Sequence, residues 1–199
     1  MKSSVATTLI PILFVWLWST GFVGARFGLP YIEPFFILTL RFALTLPVFL
    51  ILIIILRKRW LSFAQIKVQM MVGAILHGLY LGGVFYAVSI GTPAGIAAII
   101  VGIQPILTAA INRILFRQSV TKRQMLGLVL GFSGLLAVIL GSAEISESSV
   151  GLLGLAACIV ALLGITIATI IQKRYGAGTP LMSGALWQYM GSLIVVGIA

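Results

Sequence analysis

Acidic residues are scarce in this sequence. It has three carboxylates against 13 lysines and arginines, and its formal net charge is +10 over 199 residues. Charged residues make up 8% of the chain and hydrophobic residues 61%. These proportions exclude a disordered polymer, which needs low hydrophobicity, and an ordinary water-soluble domain, which has about 25% charged residues. We therefore expect the chain to lie in a lipid bilayer.

Cysteine and histidine are almost absent as well, since Cys158 and His77 are each the only residue of their kind. A single cysteine cannot form an intrachain disulfide, and no group of ligands has the spacing of a metal site. The sequence also lacks paired intramembrane acids and a phosphate-binding glycine-rich loop. We therefore predict no catalytic residue, no metal and no cofactor, and a membrane-embedded enzyme is the least favoured class.

Long apolar runs dominate the rest of the sequence, and they predict an all-α polytopic membrane protein with about seven spans. The predicted spans are residues 3–25, 34–56, 68–89, 92–114, 124–143, 149–171 and 180–199. Spans three and four share one uncharged run that is too long for a single crossing, and the turn residues Ile90-Gly91-Thr92-Pro93 divide it. A cleaved signal peptide is the alternative interpretation of span one.

The basic residues sit between the apolar runs and form no continuous face. We expect them to contact membrane lipids and not nucleic acid. Placing the N-terminus in the cytoplasm puts eleven of the 13 at inner ends of spans, and the three carboxylates, Glu33, Glu144 and Glu147, in outer loops. This pattern predicts a multi-pass protein of the bacterial inner membrane with a cytoplasmic N-terminus.

Two parts of the chain resemble each other. Arg26-Phe27-Gly28 is followed by Pro34, and Arg174-Tyr175-Gly176 is followed by Pro180. The match is short, so chance is the alternative explanation. Spans one and six would start on opposite sides of the membrane, which describes the inverted repeat common in secondary transporters.

The motifs resemble those of EamA-type transporters of the drug/metabolite transporter superfamily. Trp18 precedes Arg26 by eight residues, Pro34 precedes Arg41 in span two, and the run from His77 to Tyr86 leads to Gln104-Pro105. Gly127, Gly131 and Gly134 in span five also fit the family. Two positions differ: Ser19 replaces the glycine that usually follows the tryptophan, and Gln118 replaces a glutamate common after span four.

The resemblance implies ten spans arranged as an inverted repeat of five-helix units. Residues 1–143 would form the first repeat and residues 144–199 the start of the second, so we expect a truncated or partial transporter sequence. The implied function is transport of small organic metabolites or drugs by an exporter that works by alternating access. A transport-inactive fragment or a membrane assembly element is the alternative, and a homodimer is a partner that the sequence leaves open.

Five residues are candidates for substrate binding. Arg41 is a cation inside a span, so it is expected to face the bundle interior or a wet cavity, where it would hold a substrate carboxylate; snorkelling to the membrane surface is the alternative. His77 is the one candidate proton carrier, or else a hydrogen-bonding bridge between helices. Trp18 and Tyr80 would line an aromatic wall, although membrane-facing belts are the usual place for aromatics.

Prolines inside spans predict helix breaks. Gln104-Pro105 lies in the middle of span four, where the missing N–H frees a carbonyl, and the amide of Gln104 would bind substrate or join helices. Pro47 is the second predicted hinge. The pairs Gly78/Gly82, Gly91/Gly95 and Gly127/Gly131 predict close helix packing, which says nothing about substrate.

Overall fold

The computed structural model describes residues 5–141 and 151–198, and its regular elements there are all helices. In chain order they are α1 (Val5–Gly28), α2 (Pro34–Ile55), α3 (Phe63–Gly73), a π-helical segment (Ala74–Leu81), α4 (Gly82–Ser89), α5 (Ala94–Gly102), α6 (Gln104–Phe116), α7 (Lys122–Gly141), α8 (Leu152–Tyr175) and α9 (Leu181–Val196). The all-α prediction is confirmed.

Five helical stretches are long and apolar enough to cross a membrane: Leu9–Gly28, Pro34–Ile55, Phe63–Ser89, Ala94–Phe116 and Leu152–Tyr175. They match predicted spans one to four and six. The two other predicted spans coincide with α7, of 20 residues, and α9, of 16 residues. At about 1.5 Å per residue α9 is shorter than the hydrocarbon core of about 30 Å. The chain is therefore a polytopic helical membrane protein.

Local sequence explains where α2 begins and where the chain turns after α4. Glu33 caps α2 by accepting from the N–H groups of Phe35 and Phe36 at 3.0 and 2.6 Å. The predicted turn between spans three and four is confirmed: α4 ends at Ser89, and Gly91 has a φ of +95° that favours glycine. Glu144 and Glu147, predicted in an outer loop, lie outside the described residues.

Two helix ends have an arginine in the left-handed conformation. Arg57, after α2, has a φ of 46°, and Arg117, after α6, has a φ of 51°. Each closes its helix in the same way, because the next residue's N–H reaches back into the last turn: Lys58 to the Ile53 carbonyl at 2.9 Å, and Gln118 to the Asn112 carbonyl. Glycine is the usual residue at such a position because it has no Cβ to strain the backbone.

Helix α9 packs against α2, α3 and the π segment, and α8 packs against the π segment, α4, α5 and α6. Glycines make these approaches close. A Cβ at Gly73 would collide with the backbone of Gln188, and a Cβ at Gly191 would collide with the backbone of Met70. On the α8 side, Gly83 has the same relation to the Ala157 carbonyl, at 2.9 Å.

The three predicted glycine pairs behave differently. Gly78 faces the side chain of Val195 at 3.2 Å and Gly82 faces Phe35 at 3.3 Å, so this pair does pack closely. The other two predictions are wrong for the described residues: Cβ atoms at Gly91, Gly95, Gly127 and Gly131 would meet nothing within 4 Å. The spacing of two glycines does not say which face of a helix has a neighbour.

Gly191→Ala should therefore destabilise the fold, whereas Gly131→Ala should not. The first substitution forces α9 away from α3, which is expected to cost about 1–3 kcal/mol, as overpacking does. The second places a methyl group in open space and favours helix by up to about 1 kcal/mol. Thermal unfolding of both variants in the same detergent measures the difference. Equal midpoints would contradict the close contact.

Candidate functional site

The π segment Ala74–Leu81 carries two of the predicted site residues, His77 and Tyr80. A π-helical turn is wider than an α-helical turn, and such turns occur frequently at functional sites. The segment is packed on two sides: a Cβ added at Gly78 would meet Val195 of α9, and a Cβ added at Gly164 of α8 would lie within 3.5 Å of the Ile75 carbonyl and the Tyr80 nitrogen. No pattern in the local sequence predicts this π-helical segment.

Trp18, Arg41 and Tyr80 line one small cavity of about 80 Å³ between α1, α2 and the start of α4. Tyr80 is buried, with 5% of its surface exposed, and the side chain of Trp18 lies next to its hydroxyl. Trp18 is in turn edge-to-face with Phe22, with ring centroids 5.5 Å apart. The structure thus brings three of the five predicted binding residues to one place.

Arg41 lines this cavity and is itself exposed, so its guanidinium is accessible. It interacts electrostatically with both His77 and Tyr80. Its side chain has no hydrogen-bond acceptor or carboxylate among residues 5–141 and 151–198, where the one carboxylate, Glu33, caps α2. It lies seven residues into α2, about 10 Å from that end of the span. A cation at this depth without a partner is suited to bind an anion.

His77 is held by aromatic stacking. Its ring lies parallel to that of Tyr189, with centroids 4.9 Å apart, and is tilted against Phe42 at 6.0 Å. Tyr189 also stacks on Phe49 at 5.6 Å. This cluster joins α2, the π segment and α9 by ring contacts, and the two roles considered for His77, a proton carrier or a hydrogen-bonding bridge, stay predictions.

Gln104 lies apart from the Arg41 cavity. Its amide donates to the Thr108 hydroxyl at 3.1 Å and to the Thr169 hydroxyl of α8 at 3.5 Å. It lines a larger cavity of about 520 Å³ between α6, α7 and the end of α8, which extends to Gln118 and Lys173. The five predicted binding residues therefore divide between two regions.

The two predicted hinges differ. At Pro105 the helix is interrupted: α5 ends at Gly102, α6 begins at Gln104, and the N–H groups of Ile106 and Leu107 both donate to the Ile103 carbonyl. This is the expected effect of a proline without an N–H. At Pro47 no break is present, since α2 is helical from Pro34 to Ile55.

A cluster of glutamines was missed by the sequence reasoning. Gln188 of α9 donates to the side-chain oxygen of Gln69 at 2.6 Å and to that of Gln172 at 3.3 Å, and Gln69 donates to Thr179. Gln69 is fully buried. The cluster joins α3, α8 and α9. The signal available in the sequence was the presence of a glutamine in each of three apolar helices, because a buried side-chain amide needs hydrogen-bond partners.

The sequence matches the profile of the EamA-like transporter family over residues 6–140. The chain belongs to this family. The match includes the Arg41 cavity, the π segment and Pro105. Family membership places the chain in the drug/metabolite transporter superfamily.

Curated relatives of this EamA-like chain carry transporter names. Protein PecM of Dickeya dadantii is 26% identical over 92% of this chain and 59% of its own length. The probable amino-acid metabolite efflux pump of Salmonella typhimurium is 23% identical over 89% and 58%. The uncharacterized transporter YyaM of Bacillus subtilis is 31% identical over 59% and 41%. The EamA-like chain spans about half the length of these relatives, and no solved structure matches it.

The EamA-like chain differs from its family's usual motif at Gln118, and the structure shows what the neutral side chain does. Its carbonyl oxygen accepts from the Lys173 ammonium at 3.3 Å. A glutamate there would neutralise this cation, whereas an amide leaves its charge uncompensated. Residue 118 therefore makes a hydrogen bond with Lys173 and no ion pair.

The glutamine cluster makes a stability prediction. Gln188→Leu removes the donor to two oxygens, one of them fully buried, and should cost about 1–3 kcal/mol. Gln104→Leu is the matched control, because Gln104 and its nearer partner Thr108 border a cavity where water can replace the lost bond, so its effect should be smaller. Thermal unfolding in detergent compares the two. An equal or larger loss for Gln104→Leu would show that the cluster is not a structural contact.

Proposed function

We propose that this chain forms the substrate-binding half of a transporter that exports small organic metabolites or drugs by alternating access. The main observation in support of this site is that Arg41, Trp18 and Tyr80 line the same cavity. Membership in the EamA-like family and the efflux-pump name of one relative support the transport activity.

The chemistry of the cavity favours substrates with an acidic group and an apolar or aromatic body. A guanidinium holds a carboxylate through two parallel hydrogen bonds, and here it faces no competing carboxylate among the described residues. The rings of Trp18 and Tyr80 supply a wall for the part of the molecule next to the carboxylate. Because the cavity of about 80 Å³ is smaller than the roughly 300 Å³ or more of ordinary ligand sites, it has to widen during alternating access to take a whole substrate. Metabolites of the aromatic amino acids have both features, in agreement with the name of the Salmonella relative.

We also propose the orientation and the repeat organisation given by the sequence, with the N-terminus in the cytoplasm and residues 1–143 as the first repeat. The family match to residues 6–140 supports this boundary. The ends of the helices support the internal similarity: α1 ends at Gly28 and α2 starts at Pro34, while α8 ends at Tyr175 and α9 starts at Leu181.

Arg41→Gln should remove the preference for carboxylates. We expect the purified chain to bind L-phenylalanine more tightly than L-phenylalaninamide, which has no carboxylate, in a thermal-shift titration. Loss of a charge-assisted hydrogen bond of about 1.5–3 kcal/mol should weaken binding of the acid about 10- to 100-fold and leave the amide unchanged. Arg123→Gln, a charge change on exposed α7, is the control. Retained discrimination in Arg41→Gln would exclude this site.

The orientation is tested by cysteine labelling in a Cys158→Ala background, since Cys158 is the single native cysteine. A membrane-impermeant maleimide added to intact cells should label Tyr31→Cys, whose native side chain is 87% exposed in the loop before α2. It should label Lys58→Cys, in the basic segment after α2, only after the membrane is opened. The reverse pattern would overturn the proposed topology.

A transport-inactive fragment or membrane assembly element is the second candidate, because the chain spans only 58–59% of two of its relatives. This alternative predicts that the chain inserts and folds in membranes without changing the release of labelled amino-acid metabolites from cells. Release that depends on Arg41 would favour the transporter instead. Release that is the same with and without expression would favour the fragment.

A further inference from the structure

A third cavity, of about 480 Å³, lies where α6 and α8 end side by side, and it shares Asn112, Gln118 and Lys173 with the cavity that Gln104 lines. Its polar wall consists of three cations, Arg117, Lys173 and Arg174, and two amides, Asn112 and Gln118. All five side chains can donate hydrogen bonds, and no carboxylate is found among the described lining residues. A concave site with this charge attracts anions.

The cations are uncompensated within the described residues. Lys173 donates to the neutral amide of Gln118, and neither Arg117 nor Arg174 has a carboxylate partner there. The guanidinium of Arg174 lies over the Phe116 ring at 4.6 Å from its centroid. Stacking of this kind occupies the face of the guanidinium and leaves its in-plane N–H groups available for an oxyanion.

Arg117 occupies a backbone position that would suit glycine better. Its φ of 51° is left-handed, and the residue lines the cavity. Arg57 has the same residue type and nearly the same backbone conformation at the end of α2, but it is not a lining residue of this cavity. The two arginines form a matched pair, one inside the cavity and one outside it.

We propose that this cavity binds a phosphate group, and that the group belongs to the headgroup of an anionic phospholipid. Arg and Lys side chains with neutral amides are the ordinary partners of phosphate. The cavity lies at the ends of two apolar helices, and Leu115, Phe116 and Ile170 continue its wall with apolar surface that an acyl chain can follow. The site is separate from the Arg41 cavity and does not depend on transport.

The test uses the purified full chain in neutral detergent. The chain is equilibrated with equal amounts of phosphatidylglycerol and phosphatidylcholine, and native mass spectrometry counts the lipids that it retains. We expect preferential retention of phosphatidylglycerol, reduced about fivefold by Arg117→Gly, as one cation near a lipid surface is worth about 1 kcal/mol. Arg57→Gly should retain the lipid as the native chain does. Both changes place glycine in a left-handed position, so both variants should fold.

The outcomes separate the sources of the phosphate. Equal loss in Arg117→Gly and Arg57→Gly would show diffuse charge attraction and overturn the proposal, as would no preference for phosphatidylglycerol. A third arm titrates inorganic phosphate without lipid. One outcome is that phosphate raises the unfolding temperature of the native chain and not of Arg117→Gly, while phosphatidylglycerol is not retained. That result would overturn the lipid assignment in favour of a soluble phosphate-bearing ligand.

Discussion

The backbone of this protein must satisfy its own hydrogen bonds, because the bilayer core offers no water to replace them. That constraint explains the uninterrupted helices, and it makes the two irregular places informative. The π segment is enclosed by α8 and α9, where Gly164 and Gly78 allow close contact. The break before Gln104 lies against α8 through Thr169. Irregular backbone is tolerated in a membrane where other helices or a wet cavity cover it, and each place here adjoins a candidate binding region.

Polar side chains inside the bilayer also need hydrogen-bond partners, and uncharged and charged side chains meet this need in different ways. The uncharged amides Gln69, Gln172 and Gln188 satisfy one another inside the bundle and join three helices. Lysines and arginines mostly lie near or just beyond the helix ends, where water and headgroups solvate them. Arg41 is the exception among the residues described, since it lies within a span beside a cavity and lacks an acceptor from the described part of the chain. A cation in that position is costly unless a substrate or water compensates it, which is the physical argument for a binding role.

The sequence predicted what depends on local patterns and missed what depends on neighbours. Apolar runs located the helices, and Gly91-Thr92-Pro93 located the turn, because both effects act within a few residues. Trp18, Arg41 and Tyr80 were predicted from motifs and do meet at one cavity. The π segment was not predicted, since it depends on packing against α8 and α9. Gln104, predicted to bind substrate or to join helices, lies apart from these three residues for a similar reason. The sequence indicated how deep Gln104 lies in the membrane, but not which helix it faces.

Helix α8 is the neighbour that these features share. Gly164 contacts the π segment beside Tyr80, Thr169 accepts from Gln104, and Lys173 donates to Gln118. At 3.6 residues per turn Thr169 and Lys173 share one face of α8, whereas Gly164 lies on the opposite side, so the helix contacts the π segment and the larger cavity with different faces. A rigid helix cannot shift at one of these contacts without shifting at the others. A displacement of α8 would therefore act on the π segment beside Tyr80 and on the larger cavity together, which is the coupling that the proposed alternating access requires.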